Sequence, residues 1–539
     1  MIHDYIHDYI VVGSGPSGAQ AAQTLVEDGA RVAMLDVGVK DDTYRGMVPD
    51  ADFTSIREQD ADQHRYLLGT AFEGISWGGV KVGAQLTPPR QFMVHGTDRW
   101  IPLESGNFRP MESLAYGGLG NGWGLGCFVF SGPELEKAGL DPAQMRTAYE
   151  VISRRIGIAA GRDDAAPYSI GGLDCFQEAL KMDTNCHALY EAYCVKRGAL
   201  NQRGFFMGQP PMAILTQDRG ERKKVAYKDM DFYSDQDMSA YRPWMTVDDL
   251  KKNAAFSYYG NCLVVRFEEQ EGHVAVFVHR TDTNGKEVLR CRKLLLASGV
   301  LGTARIVLRS FKEGRARLPL ICNHYCYVPC LHLRMLGKPV ERFRTSMAQL
   351  VLFHDEDRTH ADVAVASLFS YRSLLLFRLI KEAPLNFSDG RKFMQYLQSS
   401  FLIAGIHHPD AESADKFVEL REDFSTITHD KLKAHYALSE EEAKRTRERE
   451  RNFISALRAL KCFAIKRVYP GFGSSIHYGG TLPYSRQDKP YTLAPSGRLH
   501  GTRNVYVADG SGFRFLPAKG PTFSLMANAH LTAQNALSS

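Results

Sequence analysis

Near its C-terminal end the chain carries a single histidine in a glycine-rich run, FGSSIHYGGTLPYS, residues 472–485. An imidazole titrates near neutrality, so His477 is the right type of side chain to take a proton from a hydroxyl group. Histidines also pack or face water without doing chemistry, so its neighbours must decide. Two further sets of residues bear on the question. Gly13, Gly15, Ser17 and Gly18 punctuate the stretch GSGPSG, and Asp36 ends RVAMLD soon after. Far downstream, Asp509 and Gly510 follow the apolar run NVYVA. The three glycines suit a tight turn, close approach of backbone to a pyrophosphate, and close helix–strand packing. A helix starting there offers unpaired N–H groups and a positive dipole end to phosphates, and a carboxylate at Asp36 accepts hydrogen bonds from a ribose diol. By itself this fingerprint does not separate FAD from NAD.

The elements that must position these residues are legible from periodicity. An apolar strand runs to Val12, a helix follows through AQAAQTLVEDG, and a second strand ends at Asp36, which makes a β-α-β unit. The sequence IHDY occurs twice, Ile2–Tyr5 and Ile6–Tyr9. The second copy belongs to the strand, and the first is predicted to be a frayed extension. In the later helical stretch, Ser439 and Glu442 form a capping box and Phe453, Leu457 and Leu460 mark a buried stripe. The alternating charges from Lys444 to Arg451 read as a solvated face rather than a nucleic-acid site.

A chain of 539 residues exceeds one ordinary core, and about 150 residues per domain predicts two to four domains, with interleaving allowed. Hydrophobic residues at 44% and charged residues at 24% exclude a disordered or fibrous chain. A formal charge of +5 gives nucleic-acid binding no support. No secretory signal is recognised before the first strand, and the ten cysteines are expected as free thiols in a reducing cytoplasm. Cys322, Cys326 and Cys330, with His324 in ICNHYCYVPC, invite a metal reading. They lack two close-spaced ligand pairs, and the run reads as buried strand, so no metal site is expected. No window reaches the roughly 20 apolar residues that span a bilayer. In SLFSYRSLLLFRLIKEA, Leu374, Leu375, Leu376, Phe377 and Ile380 alternate with Arg372, Arg378 and Lys381. Both an amphipathic helix on a membrane surface and a cover over a substrate pocket fit this pattern.

Four motifs spread along the chain resemble the glucose-methanol-choline (GMC) flavin oxidoreductases: DYIVVGSGPSG with RVAMLDVG; YGGLGNGWGLG at 116–126; LLLASGVLGTARIVLRS; and HYGGT followed by NVYVADGSGFRFLPAKGPTFSLMANA. The last, by order and spacing, is the most specific. The resemblance implies FAD, held by Gly13, Gly15, Ser17, Gly18 and Asp36, and by a glycine-rich flavin loop with Gly118, Gly120, Asn121, Gly122, Trp123 and Gly124. It extends the cofactor set to Val264 at the adenine, to Ala297, Ser298 and Gly299, and to Asp509, Gly510, Pro521 and Thr522. Some members attach the flavin through a histidine before the loop tryptophan. Here that residue is Gly122, so FAD is expected to be non-covalent.

By the same resemblance, His477 with Gly480 and Thr481 matches the family's H-x-x-G-T, whose histidine accepts the hydroxyl proton while hydride passes to flavin N5. The chain departs from the family at Gly520, eleven positions after Asp509, where an Asn or His completes the pair on the substrate hydroxyl. Lys519, Tyr478 or a substrate-domain residue would have to replace it, or His477 acts alone. His407 and His408 in GIHHPD carry no assigned role. The implied fold is α/β, a doubly wound, Rossmann-like FAD domain (1–165, 246–312 and 495–539) interleaved with an α+β substrate domain built on an antiparallel sheet (166–245 and 313–494). The implied function is oxidation of CH–OH to C=O on a small polar, sugar-like or cyclitol metabolite. The electron acceptor is unassigned among oxygen, a quinone and a protein. Two rivals stay open: another flavin reaction, such as dehydrogenation next to a carbonyl or an oxidation in natural-product tailoring, to which Gly520 lends support, and a flavin-binding protein without catalysis.

Overall fold

The computed structural model describes residues 2–74, 86–311, 316–370 and 385–539. The Leu374–Lys381 segment, predicted as a membrane-surface helix or pocket cover, lies outside them. The architecture is mixed α/β with two large sheets.

The first sheet centres on the strand Ile2–Val12. It pairs in parallel with Val32–Leu35 on one side and Lys286–Leu296 on the other. Phe256–Tyr259 extends the sheet beyond Val32–Leu35, and the antiparallel hairpin Cys262–Gln270 and His273–Arg280 continues it beyond Lys286–Leu296. Val505–Val507 joins Leu294–Leu296 in parallel, taking the edge that the hairpin leaves free. Where the central parallel strands run side by side, Ile10–Val12, Val32–Leu35 and Leu294–Leu296 are apolar and buried on both faces, as a covered parallel sheet requires. Val11, Met34, Leu295 and Tyr506 pack with Ala22 and Leu25 of the helix Pro16–Glu27 and with Ala529 and Ala533 of the last helix, Thr522–Ser538. Ile10, Val12, Leu35, Leu294 and Leu296 enter the main core on the opposite side. The first IHDY copy is not frayed: the strand reaches back to Ile2, which pairs with Val288 through a register shift before Ile6.

The second sheet is antiparallel, ordered Cys462–Ala464, His324–His332, Phe401–His408, Ala364–Ser370, Leu350–His354, Phe205–Gly208. Side chains alternate between its faces. Cys326, Val328, Cys330, Ala404 and Ile406 pack under Phe453, Ala456 and Leu457 of the helix Glu440–Ala459, whose predicted capping box is formed by Ser439 and Glu442. The opposite face carries Val351, Phe353 and Val365 against Phe128, Tyr168 and Ala518. A smaller four-stranded sheet joins Leu103–Glu104 to Asp430–Tyr436, Lys416–Glu422 and Leu318–Pro319. No described helix is long and apolar enough to cross a membrane.

Candidate active site

The Gly13–Gly18 turn sits where the central strand ends, the place where open parallel sheets bind ligands. Gly13 has φ of +96°, and a Cβ there would lie 2.7 Å from the Ala297 carbonyl oxygen; a Cβ on Gly18 would collide with the Gly13 carbonyl. At Gly13 and Gly18 the turn therefore admits backbone only. The helix Pro16–Glu27 starts at Gly15 with no side-chain cap and no acid in its first turn, so its N–H groups and dipole are not neutralised by the protein. Ser14 Oγ donates to Asp36 and accepts from the Gly117 N–H at 2.8 Å, which ties the strand turn to the second glycine loop. Tyr258 also donates to Asp36, at 3.2 Å. Burial pushes the Asp36 carboxyl up to about 7, against these hydrogen bonds.

In the second loop, Asn121 donates its amide to the carbonyls of Tyr116 and Gly118, both at 2.9 Å, and holds the turn closed. A Cβ on Gly118 would stand 3.2 Å from Gly15 Cα, so the two glycine loops touch. Trp123 Nε1 donates to Tyr241 O at 3.0 Å. A Cβ on Gly120 would press on Pro243, whereas one on Gly124 would meet open space. Gly122 ends the turn.

On the other side of the first strand's end, Ala297 N donates to Val12 O. Ser298 and Thr303 share a hydroxyl contact of 3.1 Å, and Gly299 takes φ of +79° as the next helix begins. Thr303 donates to Asp509 Oδ2 at 2.6 Å, and Ser511 donates to its other oxygen through Oγ at 2.6 Å and N at 3.0 Å. Burial raises the Asp509 carboxyl. Val264 lies in the buried hairpin strand, paired with Val278.

His477 is partly buried, and its surroundings fix its chemistry. Asn323 Nδ2 donates to three backbone carbonyls, His408 at 2.9 Å, Pro517 at 3.0 Å and Leu516 at 3.3 Å. The amide orientation is thereby set, and Asn323 Oδ1 must accept. It faces His477 Nδ1 at 3.0 Å. His477 therefore carries its proton on Nδ1 and presents the Nε2 lone pair elsewhere. That atom faces Gly520, where an added Cβ would stand 3.9 Å from His477 Nε2 and 3.9 Å from Gly126 O. Desolvation pushes the His477 imidazole down to about 4, so it is neutral at pH 7.

The two side chains expected as substitutes for position 520 are not brought into this space. Lys519 turns away into the interior, where Nζ meets Glu134 Oε2 at 2.7 Å and Val129 O at 3.1 Å with 1% of the side chain exposed. The Tyr478 hydroxyl donates to Gly473 O at 2.6 Å and accepts from Met111 N at 2.9 Å, and burial raises its pKa. Pro521 and Thr522 follow Gly520 directly and start the last helix, again without side-chain cap or first-turn acid. Of the cysteine run, Cys326 and Cys330 lie buried in the strand His324–His332, and Cys322 in a short strand paired with Tyr478–Gly479. Asn323 within the run orients the histidine, and its only sequence signal is an amide at the start of a strand.

Two glycine turns meet at the end of a parallel sheet, a tautomer-fixed histidine stands beside an antiparallel one, and residues 406–529 match the family model for GMC oxidoreductases. In this C-terminal stretch the chain is similar to the GMC oxidoreductases. Among solved structures it is similar over its length to pyridoxine 4-oxidase from Mesorbium loti, with a TM-score of 0.57, 13% sequence identity, and 99% of each chain covered. At that identity the likeness is one of fold. No curated protein matches the sequence.

Proposed function

We propose that this protein oxidises CH–OH to C=O on a small polar, sugar-like or cyclitol molecule, with FAD held non-covalently and with His477 Nε2 as the proton acceptor. The observation that carries this reading is the fixed tautomer: Asn323 commits Nδ1 as a donor, and the basic nitrogen faces the side-chain-free space at Gly520. An alcohol hydroxyl donating to Nε2 there would lose its proton to an imidazole that is neutral over the whole physiological range. Bound FAD would supply the two-electron acceptor of the reaction.

The residues present fit that cofactor. The uncapped helix start at Gly15 and the Cβ-excluding Gly13 and Gly18 suit a pyrophosphate. Asp36 and Asp509 supply carboxylates for ribose and ribityl hydroxyls, Gly118–Gly124 a loop of bare backbone for a flat ring, and Pro521–Thr522 a second uncapped helix start. Val264, Ala297, Ser298 and Gly299 belong to the adenine end of this assignment. Gly122 offers no side chain for covalent attachment. Each large sheet draws its strands from one of the two interleaved sets, 1–165, 246–312 and 495–539 against 166–245 and 313–494, which supports reading them as cofactor and substrate units.

The test is anaerobic mixing of the purified protein with a panel of sugars, cyclitols and simpler alcohols. The reading predicts a yellow protein whose flavin is bleached by at least one of them, and FAD released into the supernatant on acid precipitation. A yellow protein that no alcohol bleaches contradicts the proposed reaction, and flavin remaining with the denatured chain contradicts non-covalent binding.

A further inference from the structure

Gly520 places no side chain beside His477 Nε2, and Lys519 and Tyr478 are engaged elsewhere. Besides Asn323, a second polar side chain is packed against His477. His407, in the central strand Phe401–His408 of the antiparallel sheet, has its ring centroid 5.4 Å from that of His477 with the planes 26° apart. Tyr325, its register partner on the neighbouring strand, stacks on it at 4.6 Å and 28°. Gly405, two residues earlier and therefore on the same face, makes this arrangement fit: a Cβ there would stand 3.3 Å from the Tyr325 ring and 3.9 Å from His407 Cε1. His408 belongs to the other face, where Nε2 stands 3.7 Å from buried Glu450. Of the two adjacent histidines, strand alternation delivers only His407 to the site.

We propose that His407 is the second group that binds the substrate oxygen, supplying from the antiparallel sheet what position 520 lacks. The inference rests on the alcohol-oxidation reading above. The groups that face His407 are His477 and Tyr325 on the open side and His408 behind it. Burial first, and then these two histidines, push His407 down to about 3, so it stays neutral while His477 takes the proton. A neutral ring stacked on an imidazolium is attractive, whereas two charged rings would repel.

His407→Phe keeps the stack and removes both nitrogens; His407→Gln keeps a hydrogen-bonding group. Anaerobic flavin reduction is followed with the alcohol of the panel that bleaches the wild-type enzyme fastest. His407→Phe should be slower by roughly tenfold to a hundredfold at normal flavin content, with His407→Gln between it and wild type. Adding Gly520→Asn to His407→Phe should recover part of the loss. A wild-type rate in His407→Phe overturns the proposal, as does an equal loss in Phe and Gln with no recovery from Gly520→Asn. If His407→Phe does not fold, His407→Ala replaces it: an Ala enzyme slower than Gln supports the proposal, and equal rates overturn it. A slow His477→Ala enzyme beside an unimpaired His407→Phe overturns this inference alone, whereas an unimpaired His477→Ala removes the reading beneath it.

Discussion

The Gly13–Gly18 turn and the surroundings of His477 solve opposite problems. At the turn, contiguous residues bring backbone so close that side chains are excluded: Gly18 has no room for a Cβ, and Gly13 leaves one only 2.7 Å from Ala297 O. Around His477, residues from distant segments, Asn323, His407 and Gly520, converge on one ring, and the Gly520 position leaves ordinary van der Waals room. The first region is limited by backbone sterics, so its design is local and tolerates almost no change. The second is limited by side-chain orientation, so its parts are separable and its chemistry can be tuned one group at a time.

The largest effect should therefore come at the turn. Gly18→Ala forces a methyl into the Gly13 carbonyl, and the purified variant should contain little flavin per chain by absorbance. Normal flavin content would break the contrast. Next comes Asn323→Ala, which removes the acceptor for His477 Nδ1 and the donor for three carbonyls. Each unsatisfied buried group costs about 1–3 kcal/mol, and flavin reduction should slow by roughly tenfold to a hundredfold while flavin stays bound. An unchanged rate would mean that the tautomer is set by something else.

Acid should affect stability more gradually. His332, His354, His477 and His530 are each pushed down to about 4, and His407 to about 3, with burial the leading cause throughout. Their unfolded value is near 6.5, so between there and about 4 the unfolded chain binds more protons than the folded one. Stability should be fully present above about 6.5 and lost progressively as pH falls through that window. A melting temperature that stays flat from pH 7 to 4 would contradict the burial of these rings. The smallest effect belongs to Gly520→Ala, whose Cβ meets its neighbours at 3.9 Å. Its flavin-reduction rate should stay within about threefold of wild type, and a collapse would mean that the substrate packs against Gly520 itself as well as reaching Nε2.

The same contrast explains what the sequence made legible. The β-α-β unit, the capped helix at Ser439 and the C-terminal motif are local patterns, and each is present in the structure. The direction of Lys519 was not readable, because it is decided by Glu134, a carboxylate from a distant helix. Tyr478 looked available beside His477, yet its hydroxyl is used by Gly473 and Met111. Asn323 and His407 reach His477 through the pairing of distant strands, which no spacing rule along the chain reveals.

The central claim is that His477 Nε2 takes the hydroxyl proton. Stopped-flow reduction of the bound flavin by the best alcohol, wild type against His477→Ala, measures it most directly. The account predicts a loss of roughly a hundredfold to ten-thousandfold with flavin content unchanged. A His477→Ala enzyme that reduces its flavin at the wild-type rate would contradict it.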